Sequence, residues 1–200
     1  AVSTFIPELI VHKLEGNIID SENIKTLFEN KFDSIVIGPG MGKDPKSLEA
    51  VQLLINNCDN LVIDADGINL YDFNSKNIII TPHRGEIGRL GIIPTEKSMN
   101  QFAAQNNITI ILKGETDFIT DGMYFKQNKT GHPRMAVGGT GDVLAGLLGT
   151  LLAKGLTPYE SGRLASYSLG IAGKMAYDEI GPGFLPTDLA LHLSNVLKII

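Results

Sequence analysis

A mainly parallel α/β sheet, covered by helices on both faces, is the fold class this sequence predicts, and three observations predict it. Short apolar, β-branched runs recur at "SIVIG" from 34, "LVID" from 61, "NIIIT" from 77 and "ITIILK" from 108. They lack the strict alternation of a strand with one wet face, which marks strands buried on both sides. Helix-like segments with N-cap candidates and amphipathic spacing separate them, "DPKSLEAVQLLINN" from 44 and "TEKSMNQFAAQNN" from 95, and strands alternating with helices pair in parallel. After residue 142 the pattern turns to helices, over 142–154, about 158–178 and 187–197. The piece "FITDGMYFKQNKTGHPRM" predicts a small antiparallel hairpin turning at Asp121 and Gly122, followed by a mobile polar loop.

The chain has 200 residues, enough for one sizeable core, so residues 1–200 read as a single domain. Its composition is 43% hydrophobic and 20% charged, with a net charge of −5. That balance gives no electrostatic reason to expect nucleic acid or an anionic membrane as a partner. The longest apolar stretch, Val143 to Ala153, reads as a buried helix and falls short of the roughly 20 residues that span a bilayer. No cleavable signal is visible, and the expected location is the cytoplasm. Cys58 is the sole cysteine, which excludes a disulfide or thiolate metal cluster within one chain.

In parallel sheets, ligands collect beyond the carboxyl ends of the strands, so the segment after each strand carries the chemistry. Here the strand ends lead into "GPGMGKD", "DADGINL", "TPHRGEIGRL" and "KGETDFI", which should converge on one edge. "GPGMGKD" is not a phosphate loop, because Gly38 to Gly42 is one residue too short and Asp44 stands where serine or threonine is needed. The dinucleotide fingerprint fails too, its third glycine falling one position early. A tight strand-to-helix turn and direct ligand contact both remain open for this segment. Asp64 and Asp66 read as helix caps or as ligand groups. Pro82 ends its strand, while His83 and Glu86 stand three apart on one face of a starting helix. Lys113, at the end of an apolar strand, suits a phosphate as a point charge. His12, His132 and His192 lack metal-ligand partners at useful spacing and read as structural or surface residues.

The densest signal is "MAVGGTGDVLAGLLGTLLAKG". Helix N-termini offer unpaired N–H groups and a partial positive charge, so Gly139, Thr140 and Gly141 can build an anion cradle. Four glycines within residues 138–146 exceed what a cap needs, since each costs roughly 0.5–1 kcal/mol relative to alanine. Asp142 has two readings: an N-cap accepting from the first helical amides, or a reacting carboxylate beside the cradle.

Taken in order, "VIGPGMG", "DADGINL", "TPHRGEIGRL", "LKG" and "MAVGGTGDVLAGLL" closely resemble the ADP- or ATP-dependent NAD(P)H-hydrate dehydratases, of ribokinase-like three-layer α/β/α fold. The resemblance implies repair of hydrated NADH or NADPH by phosphorylation of the hydrate hydroxyl and loss of phosphate, with ADP or ATP and Mg2+ as cofactors. It implies that Asp142 is the base and that amides around Gly139, Thr140, Gly141 and Asp142 stabilise the transferring phosphoryl group. Lys113, Gly114, Glu115, Thr116, Asp117 and Gly141 would meet the adenine nucleotide. Gly40, Gly42, His83, Glu86 and Asp142 would face the hydrate, Glu86 matching a carboxylate that related kinases use near magnesium. Family members carry a further N-terminal strand and glycine-rich turn ahead of the region where Ala1 stands, so assembly with copies of itself or with that missing segment is expected. Two other functions fit the same motifs: a ribokinase-like kinase for a small alcohol such as a vitamin precursor or sugar, and a nucleotide-binding subunit without turnover.

Overall fold

The computed structural model describes residues 6, 8–74 and 76–198. Ala1, with the question of what precedes it in the sheet, lies outside the described residues. Strands β1 (Ile35–Ile37), β2 (Asn60–Ile63), β3 (Asn77–Ile80) and β4 (Thr109–Leu112) lie side by side in chain order, all parallel. A hairpin of β5 (Asp117–Thr120) and β6 (Phe125–Asn128) then extends the sheet antiparallel from β4. Its turn falls where the sequence placed it: Asp121 Oδ1 accepts from the amides of Met123 and Tyr124, and Gly122 has φ +91°.

Helices α1 (Ser21–Leu27), α2 (Pro45–Asn57), α3 (Arg84–Ile87), α4 (Glu96–Asn106), α5 (Thr140–Ala153), α6 (Pro158–Ile180) and α7 (Pro186–Leu197) complete the described elements. Two cores arise from the twofold period of the strands. Leu61, Ile63, Ile78, Ile80, Ile110 and Leu112 face one side, with Ala50, Val51, Leu54 and Ile55 of α2 and Met99 and Ala103 of α4. Val62, Ile79, Ile111 and Ile119 face the other, against α5, α6 and α7 through residues such as Leu148, Leu152, Ala165, Leu169 and Leu189. Both faces are dry along β2 to β4, which explains why those strand sequences carry no polar alternation, whereas Val36 of the edge strand β1 is exposed. Among the described residues, no helix is long and apolar enough to cross a membrane.

Three expectations are corrected. Helix α5 starts at Thr140 rather than 142. It is not wholly buried, because Gly146 and Thr150 lie on an exposed stripe while Leu144, Leu148 and Leu152 point inward. The loop after the hairpin, expected to be mobile, is docked on α6. The His132 ring stacks on Tyr177 with centroids 4.0 Å apart, and the Thr130 hydroxyl lies 3.2 Å from the Tyr167 carbonyl oxygen. His132 Nδ1 also accepts from the Arg134 amide, which caps a 3-10 turn over Pro133–Met135.

The turn after β1 is fixed by close backbone approach. Gly38 has φ +121°, and a Cβ there would clash with the Asp64 carbonyl oxygen. The Asp64 amide in turn donates to Ile37 O at 3.0 Å, locking the ends of β1 and β2 together. Gly40 has φ +69° but open space where its Cβ would be. Gly38→Ala should therefore lower stability by more than about 2 kcal/mol, through a strained φ and a backbone clash. Gly40→Ala should cost about 1 kcal/mol, from the conformational term alone. Urea denaturation midpoints of the two variants check this; equal shifts would contradict it.

Candidate active site

Parallel pairing brings the carboxyl ends of β1 to β4 to one edge, as a sheet of this kind must. Along that edge lie Gly38 to Gly42, then Asp64 and Asp66, then Thr81 and His83, then Lys113. The last two are bridged directly, His83 pairing with Lys113 in parallel, and the Lys113 amide donates to Pro82 O at 2.8 Å.

Asp64 is the hub of this row. It is 1% exposed, and its Oδ1 accepts from the Thr81 hydroxyl at 2.7 Å and from Lys113 Nζ at 2.5 Å. Although it stands at the N-cap position of a 3-10 turn over Ala65–Gly67, its side chain makes no cap hydrogen bond. The capping alternative fails for Asp64 because a buried carboxylate takes the stronger, charged partner. Asp66 does not cap either. Its Oδ2 accepts from the Gly42 amide at 3.2 Å and its Oδ1 lies 3.9 Å from Lys43 Nζ, so it ties the β1 turn to the β2 turn. Gly40 and Gly42 are exposed on that turn, with open space over each.

Across the row stands the first turn of α5. Gly139 is its N-cap, with φ +99°, and Pro186 at the start of α7 backs it: a Cβ on Gly139 would lie 3.1 Å from Pro186 Cγ. The N-cap reading of Asp142 is thereby overturned, since Asp142 occupies the third helical position. There the carboxylate is exposed. Among the described residues it has no hydrogen-bond or ion-pair partner, and the amides of Gly141 and Asp142 have no acceptor. Among the described residues the buried Thr140 hydroxyl has no partner either. Gly141 joins the two halves: a Cβ there would lie 3.4 Å from Lys113 Nζ and 3.6 Å from Asp64 Oδ2. Free amides, a positive helix end and an ammonium thus meet at one point, which is the physical specification of an anion site.

Beyond Lys113, the bend of Gly114, Glu115 and Thr116 closes on Asp117, whose Oδ1 accepts from the Gly114 amide at 3.1 Å and whose Oδ2 accepts from Asn128 Nδ2 at 3.1 Å. Burial pushes the Asp117 carboxyl above its ordinary range, against the lowering by those two donors and by Lys113. Glu115 is exposed at the apex of the bend.

His83 and Glu86 do share a face, as their spacing predicts, through a reciprocal cap at the start of α3. His83 Nδ1 accepts from the amides of Gly85 at 2.9 Å and Glu86 at 3.2 Å, while Glu86 Oε2 accepts from the His83 amide at 2.8 Å. A ring nitrogen that accepts carries no proton, so the neutral imidazole is protonated on Nε2. That atom lies 3.3 Å from Glu86 Oε1. His83 can therefore offer a donor to a ligand, whereas Glu86, 7% exposed, is committed to holding His83. Among the described residues no group of three or more His, Cys, Asp or Glu side chains is placed to hold a metal ion.

Thr81 and the pairing role of Asp64 are what reading the sequence alone missed. The signal available was a carboxylate directly after an apolar strand, "LVID", where a lysine ends a second such strand, "ITIILK". Of the remaining histidines, His12 is exposed, and His192 is buried between α6 and α7 with Nε2 3.6 Å from Glu179. A cavity of about 570 Å³ lies elsewhere, between β5, β6 and α6, lined by Ile119, Asn128, Leu156, Arg163 and Tyr167 among others.

Comparison with known proteins identifies the family and the fold. The ADP-dependent (S)-NAD(P)H-hydrate dehydratase of Nitrosopumilus maritimus is 37% identical over 209 residues, covering 96% of this chain and 72% of that protein. The bifunctional NAD(P)H-hydrate repair enzyme Nnr of Archaeoglobus fulgidus is 36% identical over 198 residues, covering 98% of this chain. The chain spans 42% of that protein's length. Among solved structures, the ADP/ATP-dependent NAD(P)H-hydrate dehydratase of Bacillus subtilis, co-crystallised with ATP/Mg2+ and soaked with CoA, superposes with a TM-score of 0.78 at 28% identity, covering 86% of this chain and 67% of that one. A ribokinase-like superfamily protein of Enterococcus faecalis gives 0.75 at 26% identity, covering 89% and 66%, which makes the fold ribokinase-like. The family profile described as NAD(P)H-hydrate dehydratase matches residues 1–195, and this chain belongs to that family.

Proposed function

We propose that this chain restores hydrated NADH or NADPH to the reduced dinucleotide, using ADP or ATP as phosphoryl donor. The observation that carries the reading is the meeting of the free amides of Gly141 and Asp142 with Lys113 at one point of the strand edge, with an unpartnered carboxylate on Asp142 beside it. The relative from Nitrosopumilus maritimus, named as ADP-dependent, supports a nucleotide as the anion.

In this reading the terminal phosphoryl group lies at the first turn of α5, where amide N–H groups and Lys113 offset its developing charge. Positioning and electrostatics dominate phosphoryl transfer, so a preorganised cradle is the machinery such a step needs. The Asp142 carboxylate takes the proton from the hydrate hydroxyl as that oxygen attacks phosphorus, and the bond to the nucleotide's leaving oxygen breaks. The C–O bond of the phosphorylated hydrate then breaks with loss of phosphate, a proton leaves the neighbouring carbon, and the ring double bond returns. The bend from Lys113 to Asp117 and Gly141 serve the nucleotide. Gly40 and Gly42, open above their turn, and the Nε2–H of His83 serve the hydrate, with Glu86 fixing the imidazole. Mg2+ fits as an ion carried on the nucleotide's phosphates, which commonly retains waters and takes one or two carboxylates at most; it would neutralise phosphate charge.

Incubation with hydrated NADH or hydrated NADPH plus ADP or ATP tests the reading. Nucleotide-dependent recovery of reduced-nicotinamide absorbance, with free phosphate released, is the expected result. A phosphorylated product that accumulates would instead identify a small-molecule kinase, and nucleotide binding without turnover a non-catalytic subunit.

Two variants separate the chemical role from the binding role. Asp142→Asn should lower turnover by about 10²–10⁴-fold, the usual loss on removing a general base, with nucleotide affinity within about fivefold, since the lost helix-end interaction is worth at most about 1 kcal/mol at an exposed site. Normal turnover would remove Asp142 from the chemistry. Lys113→Ala should weaken ADP or ATP binding in calorimetry more than it raises the KM for the hydrate. Unchanged nucleotide affinity would take Lys113 out of the phosphate site.

A further inference from the structure

We propose that Asp64 is a positioning residue, whose buried carboxylate holds the Lys113 ammonium beneath the first turn of α5 and so sets the affinity of the site for a nucleotide phosphate. The proposal rests on the nucleotide reading above and goes beyond it, in naming the group that makes Lys113 competent.

A lysine stem has several rotatable bonds, and a free one would sample many positions before meeting a phosphate. Here the ammonium is confined. Lys113 has a side chain 21% exposed and Asp64 one 2% exposed, and Asp64 is its charged partner among the described residues. Asp64 is itself held from several directions: its amide donates to Ile37 O, and its Oδ1 accepts from the Thr81 hydroxyl, which is wholly buried. Oδ1 therefore serves both the fixed hydroxyl and the ammonium, while Oδ2 is turned toward Gly141. An ammonium has three donors. One goes to Asp64, leaving others for phosphate oxygens that sit on the amides of Gly141 and Asp142.

Stability alone is a poor explanation of such a pair. Burying two charges carries a desolvation cost that their attraction often fails to exceed, and apolar side chains of like volume commonly serve a core as well or better. The pair is also not deep in either apolar core. It sits at the strand edge, against the one glycine of α5's first turn, where a Cβ would come into van der Waals contact with it. A carboxylate at an anion site is unfavourable on its own account, and fixing the ammonium offsets it.

The test is a double-mutant cycle on ADP and ATP binding by calorimetry, with wild type, Asp64→Asn, Lys113→Met and the double variant, each first shown to be folded by circular dichroism. Asn keeps an acceptor for Thr81 and drops the charge. Asp64→Asn should weaken nucleotide binding about tenfold in the wild-type background, and by less than about twofold once Lys113 is Met. Thr81→Val provides the same test should Asp64→Asn fail to fold: a smaller weakening, again absent when Lys113 is Met. Unchanged or tighter binding by Asp64→Asn, or equal losses with and without Lys113, would overturn the proposal while leaving the nucleotide site in place. Wild-type protein that binds neither ADP nor ATP would overturn the nucleotide reading and this proposal with it.

Discussion

The Asp64–Lys113 ion pair at the carboxyl edge of the sheet is the contact on which the site depends, because it couples four chain segments that are far apart in sequence. Asp64 directly follows β2, Thr81 follows β3, Lys113 follows β4, and Gly141 lies in the first turn of α5; all meet within hydrogen-bond or van der Waals reach. A fifth segment joins through Gly38, whose missing side chain admits the Asp64 carbonyl. None of these contacts could form if one strand slipped by a residue, since that would turn Asp64 or Lys113 to the wrong face. The continuous apolar core beneath β2 to β4 therefore serves chemistry as well as stability, by fixing register.

The helix opposite completes the arrangement from the other direction. An α-helix leaves its first amides unpaired, and in α5 those of Gly141 and Asp142 find no acceptor among the described residues. Pro186 at the head of α7 stands behind Gly139, and the docked loop from Thr130 to Met135 leads into the turn from α6. The cradle is thus held by packing on its outer side and left open toward Lys113. Such preorganisation is what makes hydrogen-bond donors effective against charge that develops during a reaction.

Much of this was legible in the sequence, and the parts that were not have definite causes. The four parallel strands, the hairpin turn at Asp121 and Gly122, and the last three helices come from local signals: β-branched runs, turn chemistry and apolar periodicity. Convergence of the motif-bearing strand ends comes from topology alone. The role of Asp64 was not legible in this way. In sequence it has the same appearance as a cap, and only burial and the approach of Thr81 and Lys113, 17 and 49 residues away, distinguish the two. For Asp142 the sequence leaves a cap and a reacting carboxylate both open. It was a natural N-cap by residue type, yet Gly139 adopts φ +99° and begins the helix earlier, which moves Asp142 to the third position and frees its carboxylate. The docking of the polar loop on α6 was equally invisible, because it depends on a His132–Tyr177 contact between segments that carry no local signal.

The most direct test of the account is a crystal structure of this chain with ADP. The terminal phosphate is expected on the amides of Gly141 and Asp142, with Lys113 Nζ in hydrogen-bond reach and still paired with Asp64. A nucleotide seated instead in the cavity between β6 and α6, beside Arg163 and Tyr167, with the first turn of α5 empty, would contradict it.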